Sequence, residues 1–141
     1  MYISQETLTS QQLSNAKRLI VLVPDLDMDE IAFGRRIWDI ARPARIDVTY
    51  LCVVRHWGDE IQATHTLAKL LSITKDPMIR TETVVKAEIS WEKAIKEIQR
   101  PGDLIICDAS QAIPNRIFRR KPLNKGLSNM LQMPVITIPL I

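Results

Sequence analysis

Between Lys17 and Asp29 the chain reads KRLIVLVPDLDMD, and this stretch limits the possible folds more than any other. Five consecutive apolar residues, Leu19 to Val23, run into Pro24, Asp25, Leu26 and Asp27, and a helical pattern starts near Asp29. An apolar run this short, bounded by charge and proline, reads as a strand buried on both faces, the position of a middle strand in a parallel sheet. The loop leaving it is where a ligand is expected.

The remaining chain alternates between the two periods. Ile31, Phe33, Ile37, Trp38, Ile40 and Ala41 form an apolar stripe at helical spacing, capped by Asp27 or Asp29 and expected to end near Arg42, because Pro43 disfavours helical geometry in the residue before it. Ile46 to Val54 is a second strand, and Arg55, His56, Trp57 and Gly58 form the loop after it. A second helix is expected from about Asp59 to Ser72, with Ile61, Leu67, Ala68, Leu70 and Leu71 facing inward. Ile79 to Val85 alternates polar and apolar, which suits a half-exposed edge strand. Ser90 can cap a third helix that buries Trp91, Ala94, Ile95 and Ile98. Asp103 to Cys107 is a fourth strand running into Asp108, Ala109 and Ser110, and a short helical stretch around Leu123 to Leu131 precedes a fifth strand, Val135 to Ile141.

Strand and helix alternating five times, with right-handed crossovers, predict an α/β fold: a doubly wound five-stranded parallel sheet of order 3-2-1-4-5 in a three-layer α/β/α sandwich. Residues 1–16 are a polar lead-in, and 17–141 form the domain. Ligands in such sheets bind beyond the carboxyl ends of the strands where the strand order reverses. Here that crevice lies between strands one and four, so the loops Pro24 to Asp27 and Asp108 to Asn115 should face each other.

Composition narrows the function classes. Cys52 and Cys107 each lie inside a strand without a Cys-x-x-Cys or Cys/His cluster, so they read as small buried residues rather than metal ligands or a disulfide. No apolar stretch reaches the roughly 20 residues of a membrane span, and the polar N-terminus lacks a signal-peptide core. The expectation is a cytoplasmic protein, or the cytoplasmic domain of a membrane protein. The net charge of +3 is concentrated: PNRIFRRKPLNK, from Pro114 to Lys125, holds Arg116, Arg119, Arg120, Lys121 and Lys125 and no acid. With Phe118 its only aromatic residue, the cluster is a weak nucleic-acid signal, and no nucleic-acid partner is expected. Near a bilayer it could meet acidic headgroups.

Strand one leading into Asp25, the TETVV strand, the SWEKAIKEIQ helix, the DLIICDAS strand and the closing MPVITIPL, in that order, resemble the universal stress protein family. The resemblance implies a five-stranded nucleotide-binding α/β fold, dimers formed largely through the last strand, and roles in stress responses or as regulatory domains fused to transporters and kinases. It also implies that Asp25 matches the acid facing adenine in ATP-binding members, and that Val53 matches the residue whose backbone meets the base. One feature departs from the family. The four glycines are Gly34, Gly58, Gly102 and Gly126, so the glycine-rich phosphate loop expected after strand four is missing.

Two functions follow as expectations. The first is a non-catalytic regulatory and dimerisation domain without a cofactor, forming a homodimer through Val135 to Ile141, whose apolar residues would make a costly bare edge. A fused or neighbouring transporter is a further expected partner. The second is a nucleotide-sensing domain that takes ATP, AMP or another phosphate-bearing ligand through Asp25, Asp27, Val53, Asp108, Ser110 and the arginine forks of Arg116, Arg119 and Arg120. Catalysis has little support, since His56 and His65 lack an evident nucleophilic partner. The carboxylates Asp25, Asp27, Asp29 and Glu30 read as helix-capping charges rather than a Mg²⁺ site.

Overall fold

The computed structural model describes residues 15–23 and 29–107, together with the backbone of 108 and of 135–138. The expected helix at Leu123 to Leu131 lies outside the described residues. Strand β1 (Arg18–Leu22) is followed by α1 (Glu30–Ala44), β2 (Asp47–Val54), a 3₁₀ turn (Trp57–Asp59), α2 (Glu60–Ile73), β3 (Thr81–Ala87), α3 (Trp91–Ile98), β4 (Asp103–Asp108) and β5 (Val135–Ile138). The sheet has the order β3-β2-β1-β4-β5, and every pairing is parallel. The expected topology is therefore the observed one.

The apolar run of β1 is buried on both faces because helices cover both. Leu19, Val21 and Val23 pack with Phe33, Ile37 and Ala41 of α1 and with Ala63, Leu67 and Leu70 of α2. Ile20 and Leu22 point the other way, toward Trp91, Ala94 and Ile95 of α3 and Ile105 and Cys107 of β4. Successive side chains on a strand alternate faces, so one five-residue stretch supplies two cores. Full burial of Trp91 or Ile95 is worth on the order of 1.5–3 kcal/mol each. Cys52 and Cys107 belong to opposite cores as buried thiols, so no disulfide can join them.

Three local expectations are corrected. α1 does not stop at Arg42 but runs through Pro43 to Ala44. The proline costs little there, because the last carbonyls are satisfied from beyond it: Arg45 N donates to Arg42 O (3.2 Å) and Ile46 N to Ala41 O (3.1 Å), with Arg45 in the left-handed region at φ 53°. Ile31 is 55% exposed rather than part of the buried stripe. In α2, Ile61 is 72% exposed and Ala68 is exposed, while Ala63 and Thr66 are buried instead. The cause is helix packing. Lys69 reaches Glu30 at 3.8 Å, and Gly34 sits against Ile73, so the start of α1 lies beside the second half of α2 and the first turns of α2 precede it.

Candidate functional site

β1 and β4 are adjacent and parallel, so their carboxyl ends open on the same side of the molecule, as a crevice at the switch point requires. From β1 the chain passes to α1 on one face of the sheet, whereas α3, which precedes β4, lies on the other. The two layers thus part over this end of β1.

Two of the expected site residues stand on this rim. Val23 N donates to Leu51 O at 2.8 Å, which fixes the parity of β2: Leu51 and Val53 turn their backbone groups toward β1. On the other side, Val48 N donates to Arg80 O (3.0 Å) and Glu88 N to Val54 O (3.1 Å), so Val48 and Val54 turn theirs toward β3. Val53 stands two positions past Leu51, the partner of Leu22. Its N–H and C=O therefore point across the end of β1, while its half-buried side chain packs on the α3 side. Asp108 ends β4, two positions past Ile106, the partner of Val21, and pairs with Ile138 of β5. Val53 and Asp108 thus flank the carboxyl end of β1. Asp25, Asp27, Ser110, Arg116, Arg119 and Arg120 lie outside the described residues.

Beyond the crevice loop, α1 begins with a well-made cap. Asp29 Oδ1 accepts from Ile31 N and Ala32 N, both at 3.1 Å, which neutralises two orphan donors of the first turn. This carboxylate is a cap, as its position in the sequence suggests. On α3, Ser90 Oγ accepts from Lys93 N at 3.1 Å, so the half-motif read there is a working cap. Among the described residues no group of three His, Cys, Asp or Glu side chains could hold a metal ion.

The histidines are not brought together with a nucleophile. His56 is exposed at the N-terminus of the 3₁₀ turn and makes no side-chain capping bond. His65 borders a shallow groove on α2 that is also lined by Trp57, Glu60, Ile61 and Thr64. The Thr64 hydroxyl donates to Glu60 O (2.8 Å), so its proton is already committed.

One polar constellation escaped the sequence reading, and it lies at the opposite, amino-terminal end of the strands. Arg18 is buried and binds Asp103 through Nε to Oδ1 (2.9 Å) and Nη2 to Oδ2 (2.6 Å). It also donates to Thr49 Oγ1 (3.3 Å), Glu82 Oε1 (3.4 Å) and Ile98 O (2.7 Å). The bond to Asp103 raises the Arg18 guanidinium above its ordinary value, with desolvation opposing. The cluster ties four strands together and leaves Arg18 no open face for a ligand. Its only trace in the sequence is one basic and one acidic residue at the starts of two apolar strands.

No family model matches the chain, and no curated protein does. Among solved structures it is similar to a universal stress protein in complex with cAMP, with a TM-score of 0.55 and 13% identity over 89% of this chain and 98% of that one. Among the described residues no helix is long and apolar enough to cross a membrane. With the strand order, two-faced core and switch-point rim described above, the chain has the fold of the universal stress proteins.

Proposed function

We propose that this chain is a regulatory domain of the universal stress protein type that acts by self-association rather than by catalysis. The observation that carries this reading is the place of β5: Val135–Ile138 pairs with β4 on one side and forms the outer edge of the sheet, with an apolar VITI sequence. Unpaired edges of this composition are a liability that pairing with a second copy removes. The scattered histidines and the glycine-free segment between Gly102 and Gly126 agree with a domain that carries no reaction. Hydrogen exchange at two protein concentrations tests it. Amides of 135–138 should gain protection as concentration rises, and protection there that is independent of concentration would contradict pairing through this edge.

A second reading is nucleotide sensing, favoured by the cAMP held by the similar stress protein and by the direction of the Val53 backbone. In this reading Asp25 and the Val53 backbone meet the base, and Arg116, Arg119 and Arg120 replace glycine amides at the phosphates. A thermal-shift series with ATP, ADP, AMP, cAMP and cyclic dinucleotides tests it. A shift abolished by Arg119→Ala and Arg120→Ala supports the reading, and no shift with any of them ends it.

A further inference from the structure

The opposite edge of the sheet has a pattern of its own. Among the described residues β3 pairs only with β2, and the bonds Val48 N to Arg80 O and Glu88 N to Val54 O show that its even-numbered residues turn their backbone groups inward. The odd-numbered residues Thr81, Thr83, Val85 and Ala87 therefore turn their N–H and C=O groups away from the sheet, and among the described residues no backbone bond meets them. No proline and no bulge interrupt the strand. Its two charged side chains, Glu82 and Lys86, lie on the α3 face, within 3.4 Å of Arg18 and 3.2 Å of Glu97 respectively, and both keep part of their surface exposed.

We propose that β3 is a second self-association surface, which pairs antiparallel with the β3 of another copy about a two-fold axis through Val84. The charge pattern selects both the occupant and the register. Two-fold pairing about Val84 sets Thr81 opposite Ala87 and Thr83 opposite Val85, so all four outward-facing residues meet outward-facing partners and exchange backbone bonds. The same register sets Glu82 of each copy opposite Lys86 of the other on one face, with the two Val84 side chains between them. Centring on Val85 would instead oppose Glu82 and Glu88, and centring on Thr83 would leave both charges without complement. Unlike charges placed opposite each other stabilise a cross-strand pair and like charges oppose it. This surface is independent of β5. Use of both edges at once would generate open chains rather than a closed dimer.

Disulfide trapping of the full chain tests the register. The Val84 pair is of the non-hydrogen-bonded kind, with Cα atoms about 4.5 Å apart, at the short end of the roughly 4.4–6.8 Å that a disulfide spans. Val84→Cys should give a covalent dimer in a glutathione redox buffer, whereas Thr83→Cys, whose twin lies diagonally across the axis, should not. The native thiols, both buried, do not compete. Adding Lys86→Glu to Val84→Cys places like charges opposite each other twice and should lower the yield by about tenfold. No dimer from Val84→Cys, equal dimer from Thr83→Cys, or a yield unmoved by Lys86→Glu would each overturn the proposal. A chain that associates only through β5 would give the first of these results while keeping its dimeric mass.

Discussion

Arg18 and Asp103 occupy partner positions on β1 and β4, and the guanidinium and carboxylate meet through two parallel hydrogen bonds of 2.9 and 2.6 Å in a buried setting. Around this pair Thr49 and Glu82 join from β2 and β3, and Thr49 Oγ1 donates to Glu82 Oε1 at 3.1 Å. Asp103 Oδ2 also accepts from Arg100 N (2.7 Å), which fixes the turn into β4. The amino-terminal end of the sheet is thus locked by polar contacts that join four strands.

Removal of one member of the pair should be severe. Arg18→Ala strands a buried carboxylate and is expected to cost about 3–5 kcal/mol. The double variant Arg18→Met, Asp103→Leu should recover part of that loss, though Arg100 N and Ile98 O then lose their partners. Urea unfolding of both variants measures the difference. Equal stability of Arg18→Ala and the parent chain would show that the pair does not hold the strands.

Tyr50 offers the contrasting case. Its hydroxyl is buried in the α1–α2 core without a hydrogen bond of proper geometry. Thr74, the side chain that weakly opposes its shift, spends its own proton on Leu70 O at 2.8 Å. Tyr50→Phe removes a desolvated polar group and should leave stability unchanged or raise it by about 1 kcal/mol. A clear fall in melting temperature would mean that the hydroxyl has a partner.

Alkaline pH should weaken the fold through two buried acids. Burial pushes the Cys52 thiol from 9.0 up to about 12 and, as the larger influence, pushes Tyr50 from 10.0 up to about 12. Both groups stay protonated in the native state while the unfolded chain releases their protons, so the unfolded state is favoured as pH rises. Their contribution is complete below pH 9 and is lost between pH 9 and 12, at about 1.4 kcal/mol per pH unit for each titrating group. Cys52→Ala should flatten the first part of this fall, between pH 9 and 10, in urea titrations at fixed ionic strength. An unchanged slope there would contradict the assignment to Cys52.

The elements most legible in the sequence were those decided by two-sided burial or by local chemistry. Leu19 to Val23 read as a central strand, Ser90 and either Asp27 or Asp29 read as caps, of which Ser90 and Asp29 are the observed ones, and the alternation in TETVV placed β3 at an edge. Tertiary packing decided the remainder. Ile61 has the character of a core residue, yet it lies exposed because α1 starts beside Lys69 rather than beside Ile61. The Arg18 cluster joins residues 18, 49, 82 and 103, which only the strand register brings into contact. At the rim, Val53 and Asp108 lie at the strand ends where the sequence reading of β2 and β4 put them, because strand ends follow directly from strand assignment.

The most direct test of the account is the mass of the intact chain in solution, measured by light scattering after size exclusion across a micromolar concentration series. Self-association predicts a mass of at least about 32 kDa, twice the 16.1 kDa of the single chain. A mass of 16.1 kDa at every concentration would contradict it.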